Sequence, residues 1–136
     1  AAWWEGVKSR YEGRGIRFDA AFAVPLPLPA ALFDCVLDNL LDNAMKKRAA
    51  EPGIAITAAL KVDDTTLLTV CDSGAPVRDS VAAKLFTTTI RSDTGLGIGL
   101  YQAAQWAKQQ GYRLALRGNR PGEVCFELAS VPGEAA

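Results

Sequence analysis

The hydrophobic positions change period several times along the chain, and each change marks an element. Trp3, Val7 and Tyr11 recur at helical spacing before Gly13 and Gly15, which predicts a short opening helix with Trp4 turned partly off its apolar face. Ile16 to Val24 alternates loosely, as a strand does. Pro25, Pro27 and Pro29 then make an extended connector whose last proline falls near a first helical turn. Leu32, Val36, Leu40 and Ala44 form one i, i+4 row, with Phe33, Leu37, Leu41 and Met45 beside it. This helix therefore has a wide face to bury, while Asp38, Asn39, Asp42, Asn43, Lys46 and Lys47 gather opposite until Glu51-Pro52-Gly53 stops it. Ile54 to Val62 and Thr66 to Cys71 read as an antiparallel hairpin around Asp63-Asp64. Ser80 to Leu85 reads as one or two helical turns and Phe86 to Thr94 as a polar loop. Gly95, Gly97 and Gly99 lead into a helix with Leu100, Ala103, Ala104 and Ala107 on one face and Gly111 at its end. Tyr112 to Arg117 and Val124 to Leu128 form a last hairpin, and 130–136 reads as a frayed tail.

The order αβαββααββ predicts an α/β (α+β) two-layer sandwich: a mixed, mostly antiparallel sheet with its helices on one face. A length of 136 residues suits a single domain spanning 1–136, with 1–15 as an N-terminal helix and linker. The start at Ala1-Ala2-Trp3-Trp4, without an initiator Met or a leader pattern, reads as a piece of a larger protein. Fifteen basic side chains balance fifteen acidic ones, so no strong basic field is available to hold nucleic acid or an anionic membrane. No apolar run approaches the roughly twenty residues that cross a bilayer. The chain has no histidine, which removes the commonest general base and zinc ligand and both usual catalytic triads. Cys35, Cys71 and Cys125 are scattered through apolar segments and read as buried thiols of a reducing, cytoplasmic setting.

Three places carry chemistry-bearing residues. Asn39 and Asn43 lie one turn apart on the long helix with Lys46 on the same side; an amide oxygen beside an ammonium suits a hard cation and the phosphates it neutralises. The same residues would serve as a solvated helix face. Asp72-Ser73-Gly74 ends a strand, where a carboxylate can accept from an exocyclic amine, although the tripeptide also favours a turn for local reasons. Gly95-Leu96-Gly97-Ile98-Gly99-Leu100 opens a helix, where backbone N–H groups can approach an anion. It lacks the Lys-Ser/Thr of a Walker motif, and a polar loop rather than a strand precedes it.

Taken in order, Leu40-Leu41-Asp42-Asn43-Ala44-Met45-Lys46, Asp72-Ser73-Gly74, Leu85-Phe86 and Thr94-Gly95-Leu96-Gly97-Ile98-Gly99-Leu100 resemble the N, G1, F and G2 boxes of the ATP-binding domain of two-component sensor histidine kinases. The likeness runs from about Ile16 to Leu128 and implies the Bergerat sandwich, with ATP and Mg2+ as ligands. It implies that Asn43 ligates magnesium, that Asn39 is the amide one turn before it, and that Lys46 faces the phosphates. Asp72 would accept from the adenine amino group, Gly74 would let backbone approach the base, and Phe86 would mark the F box. Thr87, Thr88, Thr89 and Arg91 would lie in a flexible lid, with Arg91 beside Asn43 and Lys46 among the groups acting in catalysis. Gly95, Gly97 and Gly99 would support the lid and the phosphates.

The chain departs from that pattern at three points. Pro76 stands at the second G1 glycine and has no N–H to offer. Lys47, counted among the binding residues, stands where the family often has an aromatic or His, so a stacking or edge contact is given up. The lid is short, with only Thr87 to Thr94 between the box phenylalanine and the glycines, and its polar composition predicts that nucleotide orders it. The resemblance implies transfer of the γ-phosphoryl group to a histidine on a separate helical domain, and a response regulator downstream. The alternatives are a nucleotide-sensing pseudokinase or scaffold and a gyrase/Hsp90-type hydrolase. The hydrolases use a Glu where Asn39 stands, and an amide is no general base. Trp3, Trp4 and Tyr11 are expected to face the helical partner domain, the alternative being that Trp3 packs in the core and Trp4 stands half exposed.

Overall fold

The computed structural model describes residues 2–22, 29–63, 65–76 and 98–130. Its elements are α1 (Ala2–Arg10), β1 (Ile16–Phe22), α2 (Ala30–Ala50), β2 (Ile56–Val62), β3 (Thr66–Asp72), α3 (Ile98–Gln109), β4 (Tyr112–Arg120) and β5 (Glu123–Ser130). The five strands form one sheet in the order β1-β2-β3-β5-β4. Only β1 and β2 run parallel, because α2 carries the chain back between them; the other neighbours are antiparallel. This is the expected two-layer sandwich. The expected turns at Ser80 to Leu85, the lid from Thr87 to Thr94, and the tail beyond Ser130 lie outside the described residues.

Alternation along the strands sets the two faces of the sheet. Ile56, Ala58, Leu60 and Val62 of β2, Leu68 and Val70 of β3, and Val124, Phe126 and Leu128 of β5 are buried. The residues between them are half-buried or exposed on the other face. Helix α2 covers the buried face with Leu32, Phe33, Val36, Leu37, Leu40, Leu41 and Ala44, the two rows expected from its period, and Met45 packs at the edge. It has no side-chain cap at its start. The Pro29 carbonyl instead accepts from Phe33 N at 3.0 Å, and Gly53 turns the chain away at φ +102° after the helix ends. Helix α3 packs Ala103 and Ala107 into the same core and lies against α2 and β4. Strand β5 runs two residues further than expected, and Ser130 belongs to it: its hydroxyl accepts from Thr66 N at 3.0 Å and closes the far end of the sheet.

Helix α1 corrects one expectation. Trp4 is its most deeply placed aromatic, 2% exposed and edge-on to Phe18 at 5.6 Å. Trp3 lies at the rim, edge-on to Phe33, and its indole N–H donates to Asp34 at 2.8 Å. The helix is wedged between β1 and α2, so two adjacent stripes are used where an amphipathic surface helix would use one. Tyr11 donates its hydroxyl to Asp38 at 2.5 Å, and Arg10 bonds the same carboxylate at 2.9 Å. Arg48 of α2 reaches the carbonyls of Arg14 and Gly15 and ties the turn after α1. Trp4 is therefore a core residue, while Trp3 and Tyr11 stay half-buried at the rim of the domain.

Burial, reinforced by the bond to Asp38, pushes the Tyr11 phenol from its usual 10.0 up to about 12. A group raised in the folded state contributes stability that is whole below its unfolded value and is lost as pH rises through its folded value. Tyr11→Phe is thus expected to flatten the alkaline loss of stability between pH 10.0 and about 12. Thermal melts across that range, with tyrosinate absorbance as the second readout, check it; an unchanged profile would contradict it.

The cysteine expectation is also corrected. Strand register sets Cys71 opposite Cys125 with Cα atoms 4.1 Å apart, and the two are joined as a disulfide. They sit on the half-buried face of the sheet, away from the helices, because each occupies an odd position between core residues. Only Cys35 is a free thiol; burial raises its pKa, against the bond from Asn39. The pairing is invisible in the spacing because it depends on β5 inserting between β3 and β4.

Candidate functional site

The site forms where the polar edge of α2 meets the C-terminal end of β3. Asn39, Asn43 and Lys47 follow at i, i+4 and i+8, so they stand in one half-buried row along the helix. Its first member bonds back along its own helix: Asn39 Nδ2 donates to the Cys35 carbonyl at 2.7 Å. That bond orients the amide, and no hydrogen bond to its oxygen occurs among the described residues. The Asn43 side chain has no hydrogen-bond partner among the described residues. Lys46 stands beside the row at the exposed surface and pairs with Asp42 at 3.1 Å, one turn back. A surface pair of this kind contributes little and can release its ammonium to a phosphate.

The third member of the row reaches the strand. Lys47 Nζ lies 2.9 Å from Asp72 Oδ1, and the two side chains are 24% and 8% exposed. Gly74 N donates to the same oxygen at 2.9 Å, the local turn bond that an Asp-Ser-Gly segment favours. The segment is pinned from both sides. Ser73 N donates to the Ala55 carbonyl and its hydroxyl accepts from Ala55 N, while Gly122 N, in the β4–β5 turn, donates to the Gly74 carbonyl. Asp72-Ser73-Gly74 is therefore a turn, as its composition favours, and its carboxylate is buried. Among the described residues nothing bonds the other carboxylate oxygen, Oδ2.

Gly74 is crowded in space rather than strained in backbone, since its φ is not positive. A Cβ there would stand 2.6 Å from Ile54 Cδ1, 2.8 Å from Lys47 Cε and 3.1 Å from Asp72 Oδ1. The lysine stem and Ile54 thus close over a glycine floor next to the carboxylate.

The structure sets Asn39 and Asn43 in one helix row with Lys47, and it is Lys47 that meets Asp72 beside Gly74. It sends Lys46 to Asp42 and puts Lys47 on the aspartate instead. The departure from the family's usual aromatic at position 47 was legible; the partner of the lysine was not, because a local pattern does not say which strand end an i+8 side chain meets. Thr87, Thr88, Thr89, Arg91, Gly95 and Gly97 lie outside the described residues. Gly99 falls in the first turn of α3. Among the described residues no group of His, Cys, Asp and Glu side chains could by itself hold a metal ion, and no helix is long and apolar enough to cross a membrane.

Comparison with known proteins bears on the family and the fold. Residues 31–134 match the family described as histidine kinase-, DNA gyrase B-, and HSP90-like ATPase. The adaptive-response sensory kinase SasA of Prochlorococcus marinus is 28% identical over 120 residues, which is 80% of this chain and 32% of that protein. The sensor protein FixL of Bradyrhizobium diazoefficiens is 30% identical over 96 residues, covering 68% of this chain and 19% of its own. The chain thus spans a third or less of the length of these curated relatives. Among solved structures, the catalytic domain of histidine kinase ThkA superposes with a TM-score of 0.76 at 18% identity, covering 96% of this chain and 90% of that one. The mycobacterial sensor histidine kinase MprB gives 0.67 at 22% identity, covering 95% and 89%. A family match over most of the chain, on a sandwich of the same architecture, shows that this chain belongs to the histidine kinase-, DNA gyrase B- and HSP90-like ATPase family.

Proposed function

We propose that this domain binds Mg·ATP and delivers the γ-phosphoryl group to a histidine on a separate helical domain, from which a response regulator would take it. The observation that carries the reading is the inward Asp72 carboxylate, with Oδ1 engaged and Oδ2 unengaged above a glycine floor. An adenine amino group would donate to Oδ2, beside the point where the Lys47 stem and Ile54 close on Gly74. Asn43 fits a magnesium site in the manner of hard-cation chemistry: a neutral amide oxygen with no competing partner among the described residues supplies one ligand, and phosphate oxygens supply others. Asn39 stands one turn before it with its nitrogen tied, so its oxygen is the group turned outward. Bound magnesium would neutralise phosphate charge and align the transferred group. Lys46 would leave Asp42 for the phosphates, a small cost for an exposed pair.

The chain contains no histidine, so the acceptor lies elsewhere in the parent protein or on another chain. The hydrolase alternative is disfavoured because Asn39 holds the place of the general base, and its amide is already used to bond Cys35. Arg91 and Thr87 to Thr89 are proposed to close on the phosphates, with Gly95, Gly97 and Gly99 supporting them. The domain is proposed to work on the cytoplasmic side of its parent, where ATP is available.

The test is calorimetry of ATP binding with magnesium and with EDTA, followed by transfer to an added helical histidine domain. Asn43→Ala is expected to remove the magnesium-dependent part of the affinity and to abolish transfer while binding in EDTA stays unchanged. Equal loss under both conditions would assign Asn43 to folding instead. Binding without transfer by the parent chain would favour the nucleotide-sensing alternative.

A further inference from the structure

Of the ion pairs among the described residues, Lys47–Asp72 is the most deeply buried, and it stands in the base end of the site. Resting on the nucleotide-binding reading above, we propose that Lys47 is a specificity-determining residue that makes this pocket accept both purine bases, guanine as well as adenine.

The argument is one of donors and acceptors. A carboxylate alone at the floor of a base site is acceptor only. Posed to take the amino group of adenine, it leaves guanine's O6 in that position facing a like-charged wall with no donor, and an unpaired buried acceptor is costly. Here Oδ1 is occupied by Lys47 and by Gly74 N, so the base meets one acceptor, Oδ2, with an ammonium beside it. The Lys47 ammonium has three N–H groups, and Asp72 takes one. The pocket therefore offers a donor next to an acceptor. Adenine presents the complement as N7 and the N6 amino group; guanine presents it as O6 and N1–H, in the same sense round the ring and one position further along. One pair of side chains can thus satisfy either base after a small slide of the ring. The lysine stem also packs over Gly74, which fixes where its ammonium stands.

Binding of ATP and of GTP, each with magnesium, is measured by calorimetry on the unaltered chain and on Lys47→Met, after circular dichroism has shown that the variant folds. The unaltered chain is expected to bind GTP within about thirtyfold of ATP. Lys47→Met is expected to widen the ratio of the GTP to the ATP dissociation constant by about tenfold or more, because O6 loses its only donor beside a carboxylate. GTP weaker than ATP beyond that thirtyfold limit on the unaltered chain, or a ratio that widens less than tenfold in Lys47→Met, overturns the proposal while leaving ATP binding intact. Failure of both nucleotides to bind the unaltered chain overturns the nucleotide reading itself. Where the variant does not fold, GTP weaker than ATP by more than about thirtyfold on the unaltered chain still overturns the proposal.

Discussion

Asp72→Ala is expected to weaken ATP and ADP alike by about 5- to 150-fold, the 1 to 3 kcal/mol that accompanies loss of one hydrogen-bonding partner in a largely buried site. Equal loss for both nucleotides follows because the carboxylate is proposed to meet the base and not the phosphates. The same substitution should also lower stability. It strands the Lys47 ammonium, only 24% exposed, and takes the acceptor from Gly74 N. Breaking a fully buried pair costs about 3–5 kcal/mol, and the partial exposure of Lys47 brings the expected loss to about 2 kcal/mol. Asp72→Asn separates the two effects, since its amide oxygen can still accept from Gly74 N. Its fold should be nearly restored while adenine binding stays weak, because its amide nitrogen is a donor facing a donor if it turns toward the base. Calorimetry and chemical denaturation on both variants test this; an Asp72→Ala chain that binds ATP as tightly as the parent, with its fold intact, would remove Asp72 from the site.

Gly74→Val carries the second large effect, and it is steric. The first carbon of any side chain at this position would lie 2.6 Å from Ile54 Cδ1 and 2.8 Å from Lys47 Cε. Ile54 is 8% exposed and packed in the core, so it has little room to retreat, and Lys47 must give way. Its movement breaks the pair with Asp72. Overpacking of this kind costs about 1–3 kcal/mol, and here the displaced lysine and the disturbed Asp72 carboxylate are expected to abolish nucleotide binding as well. Gly74→Ala should show the same signs in weaker form. A Gly74→Val chain with unaltered melting temperature and ATP affinity would show that the floor lies elsewhere.

Much of this architecture can be read along the chain. The two apolar rows of α2 are enough to name its buried residues, since helical period and burial are the same geometric fact. The alternation through β2 and β3 does the same for the sheet, and the order of Asn43, Asp72 and the glycines before α3 marks the family because spacing within boxes is local. Even the departure at Lys47 is visible as a residue type out of place.

What local pattern leaves open is decided by partners far apart in the chain. Helix α1 alone shows an apolar stripe through Trp3, and its wedged position between β1 and α2 makes Trp4 the core residue instead. Three scattered cysteines imply no pairing until β5 enters the sheet beside β3, where register sets Cys71 against Cys125 across 54 residues. Lys47 and Asp72 are 25 residues apart, and either alone reads as an ordinary surface or turn residue. Their meeting depends on how far α2 runs past the end of β3. Residue types and periods along the chain determined the layers and the family, because those follow from interactions within a few residues. The packing of α2 across the sheet decided which charge meets Asp72, because a contact between distant segments exists only once the whole core has set their distance.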